Sequence, residues 1–251
     1  MRKVERLSAI LDRLAENGSV EVAELASSFG VSEATVRRDL QSLSRSQHIM
    51  RTHGGAVAVE AGEEVSARVK AVLRRNEKKR IGRAAADLVP DGAVVGMTGG
   101  STTLEIARAL AERRGITIVT NAINVASELA ERNSIRLIVI GGIIRHSLEL
   151  VGPAAEAMLS NYHLDAAFIG VDGLTAEEGC TTYDEMEAQT DRAFLHRSQR
   201  RIVVSDSSKI CKVTFARITH LAEINEIVTD SDVDSHQRRN LEDAGPKLLV
   251  V

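Results

Sequence analysis

The chain has only two cysteines, Cys180 and Cys211, too far apart for a metal-type spacing and too few for a disulfide framework, which fits a reducing compartment. Its seven histidines are scattered with no HxH or HExxH pair, so no metal site is indicated. No run approaches the ~20 consecutive apolar residues that a membrane span needs, and no apolar leader follows Met1-Arg2-Lys3. An excess of positive charge is missing as well. The formal net charge of -3 excludes a protein that coats nucleic acid without regard to sequence, so any DNA contact must be a local patch. With 43% hydrophobic and 27% charged residues among 251, what remains is a globular, cytoplasmic chain with a sizeable core and room for a small and a medium domain.

What is present begins with helical periodicity. Val4, Leu7, Leu11 and Leu14 predict an amphipathic helix over about Arg2 to Glu16, closed by Asn17-Gly18. A second, short helix has Val22, Leu25, Ala26 and Phe29 inward and stops at Gly30, where a left-handed residue is needed. Ser32 is placed to cap a third helix, whose buried stripe is Val36, Leu40 and Leu43. Advancing about 100° per residue from that stripe puts Ala34, Arg38, Gln41 and Arg45 on the far side, flanked by Thr35, Arg37 and Ser42. Ile49-Met50-Arg51 then reads as one strand of a hairpin turning at Gly54-Gly55, with Arg51 and His53 on the wing. Arginine can grip guanine bidentately, glutamine adenine, and threonine a phosphate or a thymine methyl, so the pattern implies double-stranded DNA as a partner. The same geometry also serves as plain packing, and residues 1 to 58 are nearly neutral in sum. What favours DNA is the distribution, because Arg37, Arg38, Arg45 and Arg51 crowd one short span opposed only by Asp39.

Between Ala58 and Arg80 the apolar rhythm weakens and charge sorts into blocks, which predicts a partly helical linker over 58–80 whose basic run is a solvated face or an extra phosphate contact. From Ile81 short apolar runs alternate with amphipathic stretches. Strands are expected at Ala93 to Met97, Thr117 to Val119, Leu137 to Ile140, Ala166 to Val171, Ile202 to Val204, Ile227 to Val228 and Leu248 to Val251. Repeated strand-helix-strand units mean a mainly parallel sheet covered on both faces, so the fold class is α/β, with domains at 1–57 and 81–251.

Ligands of open α/β sheets bind beyond the carboxyl ends of the strands. There stand Thr98-Gly99-Gly100-Ser101-Thr102-Thr103, Thr120-Asn121, Gly141-Gly142 with Arg145, Asp172-Gly173, and Ser205-Asp206-Ser207-Ser208-Lys209. The first loop combines glycines, hydroxyls and the start of a helix, the parts of a phosphate cradle. A glycine turn with capping hydroxyls is the alternative; Lys209 and Arg145 tilt the balance toward an anion. No Walker lysine and no GxGxxG are present, so no nucleotide cofactor is expected.

Along nearly its whole length the chain resembles the DeoR-type family of bacterial transcription regulators. The resemblance rests on Val36-Arg37-Arg38-Asp39-Leu40, Arg51-Thr52-His53-Gly54-Gly55-Ala56, Val119-Thr120-Asn121, Gly141-Gly142, Phe168 to Gly173, Glu187-Ala188, Asp206 to Lys209 and Val228-Thr229-Asp230. It implies a winged helix-turn-helix joined to a sensor domain similar in fold to ribose-5-phosphate isomerase. It also implies a repressor, more rarely an activator, whose operator binding answers to a phosphorylated sugar or polyol held by Ser101, Thr102, Thr103, Asn121, Asp172, Glu187 and Lys209. A homo-oligomer is expected, because one short reading helix buries too little surface for a tight site. Two departures stand out. Thr98 replaces an acidic residue common in the family, and Ser46-Gln47-His48 stands where a glycine often precedes the wing. The rival reading is a sugar-phosphate isomerase fused to a DNA-binding module, with Asp172 and Glu187 as carboxylates. Leu174-Thr175 and Glu177-Glu178-Gly179 stand where isomerases carry an acidic pair and a lysine, so no catalytic residue is assigned.

Overall fold

The computed structural model describes residues 2–17, 19–44, 49–52, 54–58, 64 and 67–251. The chain divides into two compact units, Met1–Arg75 and Asn76–Val251.

The first unit runs α1 (Lys3–Asn17), β1 (Ser19–Glu21), α2 (Val22–Phe29), α3 (Glu33–Ser44), β2 (Ile49–Arg51), β3 (Gly55–Ala58) and α4 (Ala67–Lys70). Its core is formed by the predicted residues Leu11, Leu14, Leu25, Val36, Leu40 and Leu43, buried together with Ile10, which the expected stripe did not include. Val4 is the exception. It is 50% exposed, so the stripe of α1 starts one turn later, at Leu7. Gly30 ends α2 at φ 63, and its neighbour Val31 returns an N–H to Ala26 O at 3.1 Å, closing the helix end that the turn needs. Ser32 Oγ then accepts from Thr35 N at 3.3 Å and starts α3. Strands β2 and β3 pair antiparallel, and Thr52 N–H donates to Gly55 O at 3.1 Å. Strand β1, which no apolar alternation announced, pairs antiparallel with β3 and completes a three-stranded sheet.

The second unit comprises α5 (Arg75–Asp87), β4 (Val94–Met97), α6 (Ser101–Leu110), β5 (Thr117–Thr120), α7 (Ile123–Leu129), β6 (Arg136–Val139), β7 (Ile143–Ile144), β8 (Leu150–Val151), α8 (Pro153–Leu159), β9 (Leu164–Gly170), β10 (Gly173–Thr175), β11 (Gly179–Thr182), α9 (Glu185–His196), β12 (Ser198–Val204), β13 (Ala216–Thr219), β14 (Glu226–Thr229), α10 (Ser235–Asp243) and β15 (Lys247–Val250). All seven expected strands are present and pair in parallel in the order β15-β14-β12-β9-β4-β5-β6. Their side chains alternate between two cores: Val95, Met97, Ile118, Phe168, Ile202 and Val204 on one face, Val119, Ala167, Ile169, Val203 and Ile227 on the other. Helices cover both faces, as doubly buried strands require.

The charged segment 75–80 corrects the linker reading. It forms the first turns of α5, and Lys78 is 4% exposed, with its ammonium 3.6 Å from the buried Asp206 carboxylate. The second unit therefore opens at Asn76, ahead of the expected residue 81. Composition misled because one buried lysine in a basic run looks like its solvated neighbours. None of the described helices is long and apolar enough to cross a membrane.

The order of the strands decides where a ligand can enter. From β4 the chain winds outward through β5 and β6, then returns to lay β9 on the other side of β4 before winding through β12, β14 and β15. Crossovers on either side of the β4/β9 pair leave a crevice at their carboxyl ends.

Candidate functional site

Two candidate sites lie in separate units. In the first, the outer face of α3 presents Ala34, Arg37, Arg38 and Gln41 to solvent, and Arg51 is exposed on β2. Arg38 and Gln41 have no side-chain partner among the described residues, so their donors are available to base edges or phosphates. Arg37 is held by Glu33 at 2.8 Å, one helical turn back. Thr35 is half-buried and shares a 3.0 Å hydrogen bond with Ser32, so part of its polarity goes into starting the helix. Asp39 does not oppose the arginines, contrary to the count along the sequence. It is buried beneath α3 and paired with the equally buried Arg6 of α1. The exposed face is accordingly more basic than sequence order suggests. Arg45 and His53 lie outside the described residues.

In the second unit, four of the five polar strand ends meet at the crevice. Thr98 N–H donates to Phe168 O at 3.1 Å, and Thr98 Oγ1 accepts from Gly170 N–H at 3.3 Å, so this residue ties the ends of β4 and β9 together. Gly100 caps α6 at φ 124, and the N–H groups of the first turn, Ser101 to Thr103, point out of the helix with their partial positive charge. Thr103 Oγ1 already donates to Gly100 O at 3.0 Å, and Asn124 Nδ2 donates to the same oxygen at 3.3 Å. After β9, Asp172 is buried and receives Lys209 Nζ at 3.0 Å from the loop beyond β12. The serines of that loop are spent locally: Ser207 on Asp230 through both N–H and hydroxyl at 2.8 Å, Ser208 on Asp206.

Gly141-Gly142 differ from the expectation. They follow the edge strand β6, two strands from the crevice, and are exposed. Their part is to open the β7–β8 hairpin, which carries Glu149 back inward. Arg145 likewise has its charge committed, since its guanidinium stands 3.0 Å from Asp184, the residue that caps α9 by accepting from Met186 and Glu187 N–H. The arginine expected as an anion ligand thus stands beside the residue that starts α9.

Glu149 is the residue that sequence reasoning missed. It is 4% exposed, and its carboxylate packs so closely on Gly99 that a Cβ there would come within 2.2–2.5 Å of it. Asn121 Nδ2 donates to Glu149 Oε2 at 3.1 Å and to Leu150 O at 3.2 Å. Glu149 also takes the Gly99 N–H and hydrogen-bonds the Glu187 carboxyl, which requires a proton between the two acids. Burial, then the charge of Asp191, pushes Glu149 up to about 7. Asp191, one helical turn beyond Glu187 on α9, is pushed well above the usual carboxylate range by burial, then by Glu187 and Asp172. Lys212 joins Lys209 near Asp172 and is pulled down by desolvation and by its neighbour's charge. A lone glutamate in His146-Ser147-Leu148-Glu149-Leu150 carries no signal of its role; only the hairpin brings it to Asn121. Among the described residues, no group of three His, Cys, Asp or Glu side chains has a metal-holding arrangement.

Comparison with known proteins bears on both units. Residues 6–61 match the model of the DeoR-like helix-turn-helix domain, and residues 73–231 match that of the DeoR C-terminal sensor domain. The HTH-type transcriptional repressor GlcR of Bacillus subtilis (strain 168) is 33% identical over 100% of this chain and 97% of its own. The glycerol-3-phosphate regulon repressor of Escherichia coli (strain K12) is 29% identical over 92% of each. Among solved structures, ribose 5-phosphate isomerase A from Methanocaldococcus jannaschii aligns with 55% of each chain at 18% identity and a TM-score of 0.39.

Proposed function

The chain belongs to the DeoR family of transcription regulators, and from that premise we propose that it represses an operon of carbohydrate metabolism, binding its operator as a homo-oligomer and changing that grip when a phosphorylated sugar or polyol enters the β4/β9 crevice. The observation that carries the reading is the pairing of two unlike surfaces in one chain. One unit offers Arg38 and Gln41 outward, without side-chain partners among the described residues, together with an exposed Arg51 on the wing strand. The other gathers the α6 N-terminus, Asn121, Asp172, Glu187 and Lys209 at a topological switch point. A helix N-terminus and a lysine suit a phosphate, and buried amide and carboxylate groups suit hydroxyls.

The relatives it matches over nearly their whole length are transcription regulators, and we assign no catalytic residue. Asp172 is held by Lys209 and Glu187 by Thr182 and Glu149, which leaves neither placed as a ready base. A cytoplasmic location follows from operator binding.

The reading is tested by gel-shift titration of the full-length protein with genomic fragments at stated salt, with and without a panel of sugar phosphates. A ligand changes DNA affinity only through differential affinity for two arrangements of the protein, a coupling of typically ~1–3 kcal/mol. Tight binding to one fragment that shifts with one phosphosugar is expected, and Lys209→Ala should keep the binding and lose the shift. Uniform weak binding to every fragment would sink the regulator reading. Turnover of any panel member, abolished in Asp172→Asn, would establish the isomerase instead.

A further inference from the structure

Two buried acceptor atoms, on Asn121 and on Asp191, lack a donor among the described residues. Asn121 is fully buried, and its amide orientation is set because Nδ2 donates twice, to Glu149 and to Leu150 O. Its Oδ1 is left with no donor. Asp191 Oδ1, also buried, has none either. Among the described residues neither Glu149 nor Asp191 forms an ion pair with a cation, although each lies within the field of further carboxyls on α9 and after β9. A buried acceptor without a donor is costly, and a native site that contains several is completed by something that donates.

We propose that Asn121 and Glu149, with Asp191 behind them, form an acceptor-rich subsite that admits the hydrogen-bond donors of a singly phosphorylated effector, its hydroxyls or an ammonium group, and rejects a second phosphate. This rests on the phosphosugar reading of the crevice and names the end of the ligand that the rest of the site leaves open. The Gly99 N–H is already taken by Glu149, so the single phosphate is left with the first turn of α6 and Lys209. A phosphate is itself an acceptor bearing one to two negative charges, and beside the buried Asn121 Oδ1 and Glu149, where no cation pairs with Glu149 or Asp191 among the described residues, nothing would offset the cost of burying that charge. Donors face the opposite situation: they satisfy Asn121 Oδ1 and relieve the crowding of the acids. Glu149 is thereby a specificity residue, and it is separate from the cations that hold the phosphate.

The experiment is calorimetric titration of full-length protein with matched pairs, glucose 6-phosphate against glucose 1,6-bisphosphate and fructose 6-phosphate against fructose 1,6-bisphosphate, with ribose 5-phosphate, glycerol 3-phosphate and glucosamine 6-phosphate alongside. At least one monophosphate should bind, and a bisphosphate of the same sugar should bind at least tenfold more weakly; this arm needs no variant. Glu149→Gln, which keeps the shape and exchanges an acceptor oxygen for a donor amide, should shrink that gap to within about threefold, with its fold checked by the melting of the variant. Glucosamine 6-phosphate binding above glucose 6-phosphate would identify the donor as ammonium, and the reverse order as hydroxyl; both uphold the subsite. A bisphosphate that matches its monophosphate in the wild type overturns the proposal, as does a gap that survives Glu149→Gln. If no phosphosugar binds a protein that still recognises its operator, the effector reading itself fails and the subsite with it.

Discussion

The outer face of α3 and the crevice at the ends of β4 and β9 are both polar, yet they handle polarity in opposite ways. Arg38 and Gln41 stand in water, where an unpaired donor costs almost nothing, and each can be assigned a role from residue type and helical phase alone. Asn121, Glu149, Glu187 and Asp191 stand out of water, where each group must be matched by a neighbour, a proton or a ligand. The lesson is that an exposed reading surface is an array of independent side chains, whereas a buried sensing site is a network in which every substitution is felt by its neighbours. Four substitutions sharpen that comparison.

The largest effect is expected beneath the exposed face. Asp39→Ala strands the buried Arg6 guanidinium, and breaking a buried pair from one side costs about 3–5 kcal/mol. Scanning calorimetry of the full-length protein should show the transition of the first unit lowered or lost, with operator binding lost and the transition of the second unit unmoved. An unchanged melt would mean that the Arg6–Asp39 pair contributes nothing to the fold.

The next effect separates the buried network from water through pH. Glu149 lies near 7 in the folded protein against an ordinary 4.5, so the folded state holds its proton longer than the unfolded chain does. Its contribution to stability is therefore complete below 4.5 and lost as pH rises through 7, by up to about 3 kcal/mol at about 1.4 kcal/mol per pH unit. Asp191 pulls in the same direction, hydrogen bonds to Glu187, Asn121 and the Gly99 N–H pull against it, and Asp172 with its partner Lys209 completes the charged surroundings. Denaturant melts between roughly pH 5 and 8 should show the second unit weakening with rising pH in the wild type and weakening less in Glu149→Gln. Parallel pH curves for the two proteins would rule out Glu149 as the titrating group.

The exposed face should behave additively. Arg38→Ala is expected to weaken the cognate operator by ~1–3 kcal/mol while leaving both melting transitions and phosphosugar binding alone. Equal weakening on unrelated DNA would reassign Arg38 from a base edge to a phosphate. The smallest effect belongs to Ser32→Ala, which removes the hydroxyl that receives Thr35 N–H and should lower the stability of the first unit by about 1 kcal/mol in urea melts.

Much of the fold was legible beforehand because it follows from local rules. The apolar stripes of α1 to α3, the left-handed Gly30 and the Ser32 cap are properties of a few neighbouring residues, and the seven parallel strands are runs buried on both faces. The short strands β1, β10, β11 and β13 escaped notice because three or four residues carry too little periodicity, and the partners of β1 and β13, namely β3 and β11, lie far along the chain. Within the sites, Arg38, Gln41 and Lys209 could be named from type and position. Asp39 and Lys78 were misread for one shared reason: each charge is neutralised by a residue distant in sequence, Arg6 and Asp206 respectively.

By itself, then, the sequence determined the two-unit plan, the α/β class of the larger unit, the exposed reading face and the family to which the chain belongs, since periodicity, caps and contiguous motifs are written in neighbouring residues. The tertiary structure alone decided that the polar strand ends meet at the β4/β9 switch point, that Thr98 bridges those strands, and that a hairpin returns Glu149 onto Gly99 beside Asn121. Burial and charge pairing are properties of groups that meet in space, and 28 residues of chain separate Asn121 from the carboxylate it holds.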